Sequence, residues 1–414
     1  MMRGLTARQL AFGWLHFALA LPSIYLLLGM PLVLREQGWS GTQIGLLQLA
    51  GLPAVLKLVM AVPVERCRLG GGGYRAWAGL LGLLLGLALL GLAYDFPLAQ
   101  PTRFYAWVLL ISWLATWADV PVNALAIRCL PVEERLRAGG IRSAALFLAA
   151  VVGGGLLLVV HERAGGAVPF VLMALLLAVG GLLLRWISLP PETGRQRYVS
   201  VTEAVQPVSH KGAMGFVRQP AAGLWVALLM LLFPFVGAGW VYLKPLLLDL
   251  GMPAEQVAWW VGVGGGIAGA LASLAGQRLA RSVGLGRALP LLAALATLAL
   301  ATLGGVGYMA AGYGLWLVGA GLLACAMGAL SGVMFGLMMH FARSGYQALD
   351  YGLQASLFTL SRLAVPVLAG ILLDRLGYPA MFTALALGMA AVTVMALLGG
   401  RILQGVISKN GEIR

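Results

Sequence analysis

Four ionic side chains interrupt otherwise apolar runs of this sequence: Lys57, Asp119, Lys244 and Arg362. An isolated charge in hydrocarbon costs at least ~2.5–3.5 kcal/mol on insertion scales, so each needs a partner or a task. Asp119 is the one acid well inside such a run, which makes its carboxyl group the candidate proton carrier. It lies on a stripe with Ser112, Thr116 and Asn123, spaced four, three and four, which is one face of a helix. That face lines either a wet cavity or a packing seam joined by small polar groups. Arg362 stays charged at any working pH and needs a lasting counter-charge, either an anionic substrate or Asp119. Lys57 either snorkels to the membrane interface or pairs with Asp119, and Lys244, before Pro245, has the same choice between snorkelling and facing a cavity. Together the four carry a net positive charge, which would suit a ligand bearing carboxylate or phenolate oxygens.

Weaker candidates surround them. His16 is a lone histidine in the first apolar run, suited to packing or to a proton relay. Tyr25 could stack on an aromatic ligand. Trp113 and Trp117 form an i,i+4 pair whose readings are core or lipid contact and a ligand platform. Gln48 and Gln354 are candidate hydrogen-bonding groups of a cavity.

These side chains must be positioned by elements that live in lipid. The 414 residues are 61% hydrophobic and only 10% charged, with a mean hydropathy of +0.92. Ordinary soluble domains carry about 25% charge, so a soluble fold, a disordered chain and a disulfide-rich secreted domain are excluded. The runs are continuous and about twenty residues long, as helices need to cross a ~30 Å core, not alternating as in barrel strands. The net charge of +14 sits in short loops without interleaved aromatics, so nucleic acid is not the expected partner. The three cysteines, Cys67, Cys129 and Cys325, form no CxxC pair, and no cofactor or metal site is expected. Glycines 264–266 lie in an apolar run without a P-loop lysine, so no ATP hydrolysis is expected.

Twelve helices are predicted, at roughly 10–34, 43–62, 77–94, 104–127, 140–160, 167–187, 221–248, 255–276, 288–308, 314–340, 353–373 and 380–402. The first is too long for a cleaved leader. Twenty-one of the 28 Lys and Arg fall on the loops of one face and four on the other. Both termini are therefore expected in the cytoplasm. The polar stretch 188–220, with Pro190, Pro191 and Gly194, reads as a cytoplasmic linker between six-helix halves at 1–187 and 221–414.

The halves repeat. Pro31-Leu32-Val33-Leu34 returns as Pro245-Leu246-Leu247-Leu248, and Gly38 and Gln43 return as Gly251 and Gln256. At an offset of 212, Arg66, Gly72 and Arg75 return as Arg278, Gly284 and Arg287, and Glu162-Arg163 with Gly165 as Asp374-Arg375 with Gly377. Six spans separate the copies, so the repeat is parallel, about an axis along the membrane normal. None of the four intramembrane charges has a charged mate: Asp119 maps to Ser331 and Arg362 to Ala150.

Across nearly its whole length the chain resembles the major facilitator superfamily, through these twelve spans and the basic, glycine-containing loops at Glu65-Arg66 and Gln277-Arg278. Its acidic loop position is Gln277 in the second copy, a departure from the pattern. The resemblance implies an all-α membrane fold of two six-helix bundles that works by alternating access. It also implies a cytoplasmic gate at Glu65, Arg66, Arg75, Arg278 and Arg287. Leu52-Pro53-Ala54-Val55-Leu56-Lys57, Thr116 to Ala124, and Leu130-Pro131-Val132-Glu133-Glu134-Arg135 resemble the branch of muropeptide permeases and RhtX/FptX-type siderophore permeases. That branch implies import of an intact iron–siderophore complex, ferripyochelin-like, across a bacterial inner membrane; Asp119, as the one acid inside a span, points to proton coupling, and a monomer is expected. The alternatives are a permease for muropeptides or another small organic anion, and, from a different class, a non-transporting membrane sensor. No nucleophile–base constellation points to an enzyme.

Overall fold

The computed structural model describes residues 4–67, 69, 73–187, 215–309 and 312–412. Most of the predicted linker, 188–214, lies outside the described residues. What is described is helical, and among the described residues there is no β-strand. Ten helices follow in order: α1 Leu5–Glu36, α2 Gly41–Arg66, α3 Tyr74–Asp95, α4 Pro101–Cys129, α5 Val132–Ala164, α6 Val168–Trp186, α7 Ala222–Asp249, α8 Ala254–Val283, α9 Leu285–Gly307 and α10 Tyr313–His340. A final helical run, Gln347–Glu412, is broken at Gly377, where φ is 79°. It therefore gives α11 (347–376) and α12 (378–412), and the twelve expected spans are present.

The glycines repeated in the sequence mark where helices stop. Gly38 and Gly251 have φ of 84° and 87°, and Gly165 and Gly377 have 98° and 79°. Left-handed backbone carries no Cβ penalty at glycine, so the chain turns there cheaply. After α1 the N–H of Gly38 bonds the Arg35 carbonyl and that of Trp39 bonds Leu34. After α7, Gly251 bonds Leu248 and Met252 bonds Leu247 in the same pattern. The repeat is thus a repeat of helix-ending turns.

Several helices are irregular inside. α2 tightens to 3-10 geometry over Gln48–Leu56 around Pro53, which lacks an N–H, and resumes α geometry at Lys57. α1, α5 and α8 widen into π turns at Tyr25–Gly29, Val152–Leu156 and Ala258–Gly264. Gly29 and Gly153 bring two of these turns together: a Cβ on Gly29 would stand 2.7 Å from the Gly153 carbonyl oxygen.

The chain forms two compact units that do not follow the sequence halves. Unit 1 comprises residues 1–131, 149–216 and 341–356, so it contains α1–α4, the second half of α5, α6 and the first turns of α11. Unit 2 comprises 132–148, 217–340 and 357–414, so it contains the first half of α5, α7–α10, the rest of α11 and α12. Each unit thus holds one helix segment from the other sequence half. In unit 1, Leu81, Leu85, Leu89 and Leu92 of α3 bury against the core, whereas Leu83, Leu87 and Leu90 face outward. In unit 2, α10 is buried along nearly its whole length.

Candidate functional site

In unit 1 the charges of α2 and α4 meet. Lys57, just past the 3-10 stretch of α2, places Nζ 2.6 Å from Asp119 Oδ2. The Tyr351 hydroxyl, from α11, donates to the same oxygen at 2.7 Å. Asn123, one turn along α4, donates from Nδ2 to Asp119 Oδ1 at 2.8 Å and to the Asp119 carbonyl at 2.6 Å. His16 Nδ1, from α1, stands 3.6 Å from Oδ1. The Lys57 and Asp119 side chains are 13% and 15% exposed, while Asn123 and Tyr351 are fully buried. In its charged form such a carboxylate makes charge-assisted bonds, which are roughly twice as strong as neutral ones. Asp119 thus joins α4 to α2 and α11.

The start of α11 is fixed in the same unit. Glu65 Oε2 accepts the backbone N–H groups of Ala348 and Leu349 at 2.8 and 3.1 Å, and its other oxygen accepts the Tyr74 hydroxyl at 2.5 Å. A carboxylate on these first N–H groups satisfies donors that the helix leaves unpaired and complements its dipole. Asp350 grips Arg343 in bidentate fashion, at 2.8 Å to Nε and 2.7 Å to Nη2, and this hydrogen bonding holds the guanidinium above its ordinary pKa. The Ser356 hydroxyl accepts the Leu58 N–H at 3.0 Å. Gly352 lets the helices touch: a Cβ there would lie 2.8 Å from both the Lys57 carbonyl oxygen and the Ala61 Cβ.

Unit 2 holds the counterpart at the 212-residue offset. Gly139, Gly140 and Ser143 of α5 occupy the positions of Tyr351, Gly352 and Ala355, and Gly269, Ser273 and Ser331 those of Lys57, Ala61 and Asp119. Ser143 Oγ bonds Ser273 Oγ at 2.8 Å and Ser331 Oγ at 2.6 Å, and all three residues are buried. Ser331 also donates to the Gly328 carbonyl at 3.0 Å. Gly139 meets the backbone of Gly332 and Gly336, and Gly140 meets the Gln277 side chain. Arg142, buried beside this joint, sits 4.1 Å over the Phe335 ring.

The remaining candidates divide between packed and open positions. Tyr25 is fully buried and hydrogen-bonded to His161 Nδ1 at 2.7 Å, with its edge toward Phe170. It is therefore a core group in this structure, not a face on which a ligand could stack. Trp117 is pinned by its N–H to the Met60 carbonyl and lies against Trp77, whereas Trp113 is 37% exposed. Gln354 is fully buried and donates to the Asp350 carbonyl; Gln48 is exposed and donates to the Leu27 carbonyl. Arg362 and Lys244, both in unit 2, are exposed and make no hydrogen bond or ion pair with any described residue. Arg362 shares its helix face with buried Thr359 and Ala369, away from exposed Leu360, Leu363 and Val367. Of the residues expected at a gate, Glu65 caps α11 as described and Arg75 donates to the Ile187 carbonyl. Arg66 is half-buried, and Arg278 and Arg287 are exposed.

Sequence reasoning missed Tyr351 and the serine trio. The signal for both was the offset itself: Asp119 pointed to Ser331, and the glycines of α5 pointed to the same register in α11.

Solved structures with the same architecture are a variant of the E. coli fucose:proton symporter FucP and the human organic anion transporter MFSD10 (TETRAN). The first has a TM-score of 0.70 at 17% identity, covering 96% of this chain and 99% of that one. The second has 0.72 at 15%, covering 94% and 99%. The proton:xylose symporter XylE bound to 6-bromo-6-deoxy-D-glucose matches with a TM-score of 0.72 at 13%, covering 94% and 95%. At these identities the likeness establishes the fold. The sequence itself matches the Major Facilitator Superfamily over residues 12–366, and with its multi-pass helices and their buried ionic joint the chain belongs to that family of membrane transporters.

Proposed function

We propose that this transporter is a proton-coupled importer of an anionic iron–siderophore complex, acting by alternating access in a bacterial inner membrane with both termini in the cytoplasm. The observation that carries the coupling is the Asp119 site. One carboxylate is approached by Lys57, Tyr351, Asn123 and His16, so adding a proton changes each of these contacts. One proton moving down a potential is worth about 2.3 kcal/mol per 100 mV, enough to sustain roughly a fifty-fold substrate gradient. Arg362, exposed and without a hydrogen bond or ion pair to any described residue, supports an anionic substrate, with Lys244 as a second such cation. Recognition would then read the chelator's oxygens and shape, with iron carried as cargo. The siderophore itself rests on the resemblance at residues 52–57, 116–124 and 130–135.

Uptake of radiolabelled ferric siderophores, in cells lacking other carriers, tests this with and without a protonophore. The expected result is accumulation of one chelator class that collapses with the proton gradient. Accumulation of labelled muropeptide instead, uncompeted by ferric siderophores, would move the substrate to the peptidoglycan-fragment reading. Arg362→Gln should raise KM for the anionic substrate at least about tenfold, as loss of a charge-assisted bond predicts, with unchanged expression and melting temperature. Undiminished uptake would remove Arg362 from the substrate site.

A further inference from the structure

We propose that Tyr351 is the positioning residue through which protonation of Asp119 controls the hold of α11 on α2 and α4 within unit 1. The inference rests on the reading of Asp119 as the proton carrier and adds the group that transmits its charge state. Tyr351 is fully buried, and its hydroxyl meets the same carboxylate oxygen as Lys57, at 2.7 and 2.6 Å. The Lys57 ammonium also stands 5.8 Å from the centre of the Tyr351 ring. Ring, ammonium and carboxylate therefore form one cluster across three helices.

The α11 segment concerned is short. Residues 341–356 belong to unit 1 and those from 357 onward to unit 2. The segment is tied at several points. Glu65 caps its first N–H groups, the Tyr74 hydroxyl meets Gln347 Oε1 at 3.1 Å, Ser356 bonds the Leu58 N–H, Gly352 touches the α2 backbone, and Tyr351 bonds Asp119. Two of them end on an acid. The Glu65 tie joins a carboxylate to backbone groups at the helix end, while the Tyr351 tie ends on the carboxylate that also neutralises Lys57.

Protonation of Asp119 places a proton on that carboxylate and removes its negative charge. The Lys57 attraction is lost, and the phenol bond falls from charge-assisted to neutral strength. Lys57 then remains as an ammonium beside the ring with its counter-ion gone, which disfavours the closed cluster. Groups facing Asp119 include His16 from α1, Lys57 from α2, Asn123 from α4 itself and Tyr351 from α11. α3, packed along α4, carries its titratable groups at its ends, Tyr74 and Arg75 at one and Tyr94 and Asp95 at the other. The equivalent joint in unit 2 is made of serine hydroxyls and glycines, which do not ionise near neutral pH. The release is thus built into one joint and absent from its repeat mate.

The test is hydrogen–deuterium exchange of residues 347–356 in the full-length protein in lipid nanodiscs, read across pH and corrected for intrinsic exchange. In the unmodified protein, exchange of this segment should rise as pH falls through the titration of Asp119. Asp119→Asn should hold it at the low-pH level throughout. Tyr351→Phe should raise high-pH exchange about tenfold, as loss of a bond to a charged group predicts, and flatten the pH response. 3-Fluorotyrosine at position 351 keeps the ring and strengthens the donor, so it should move the midpoint to lower pH. Ser143→Ala and Glu65→Gln should both keep the response. A response retained in Tyr351→Phe, or lost in Glu65→Gln, overturns the assignment to Tyr351. If Asp119→Asn keeps both the response and proton-driven uptake, the proton-carrier reading itself fails. A flat Asp119→Asn beside a normal Tyr351→Phe sinks only the present inference.

Discussion

The joint of α11 with α2 and α4 in unit 1 and the joint of α5 with α8 and α10 in unit 2 stand at matching positions of the repeat, yet they use opposite chemistry. The first is closed by a carboxylate, an ammonium and a phenol around Asp119. The second is closed by backbone-to-backbone contact at Gly139, Gly328, Gly332 and Gly336 and by three serine hydroxyls. Small residues let helices approach until dispersion and weak polar bonds suffice. An ionic cluster depends on its state of charge. A duplicated scaffold can thus keep one joint steady and make the other respond to protons, with the fold unchanged.

Ways to break this contrast can be ranked by the effect expected. The largest belongs to Asp119→Asn, which strips Lys57 of its counter-ion in a mostly buried setting and should destabilise unit 1 by about 3–5 kcal/mol. Replacing both partners, Lys57→Met with Asp119→Leu, should recover most of that stability in detergent melting curves while leaving proton-driven uptake absent. A double variant that melts no higher than the single one would show that the pair is not a unit. Next is Gly139→Ala. Its Cβ would collide with the Gly336 backbone, which has no rotamer to yield, so overpacking of about 1–3 kcal/mol is expected. Gly352→Ala should cost less, because its nearest contacts would lie at 2.8 Å, whereas a Cβ on Gly139 would stand closer still to the Gly336 backbone. Equal costs would mean that the unit 1 joint is packed as rigidly as its mate. The smallest effect falls to Ser143→Ala. It removes bonds to Ser273 and Ser331 and should cost about 1 kcal/mol, with the pH profile of uptake unmoved. A shifted profile would show that the serine joint also senses protons.

Much of this was readable in the chain before any coordinates. Apolar runs of spanning length gave the helices, and the repeated Gly38/Gly251 and Gly165/Gly377 marked their ends. The pairing of Lys57 with Asp119 was one of two readings left open, because a lysine near a helix end snorkels as readily as it pairs. Tyr25 was legible only as a mid-helix aromatic; its burial against His161 and Phe170 depends on α5 and α6 reaching it. Tyr351 carried no local signal, since a tyrosine in an apolar helix is ordinary until something charged stands opposite its hydroxyl.

Composition and periodicity, by themselves, determined a bilayer-spanning helical duplicate with a few unmatched charges, because hydrocarbon tolerates no open backbone and taxes every ion. Which charges meet was a tertiary decision. Residues 57, 119 and 351 are separated by up to 294 positions and converge only because α2, α4 and the start of α11 pack into one unit. Spacing along a helix fixes a face, but the partner of that face is set by packing between segments remote in sequence. The same packing placed the first half of α5 with unit 2 and the start of α11 with unit 1, an exchange that no local pattern encodes.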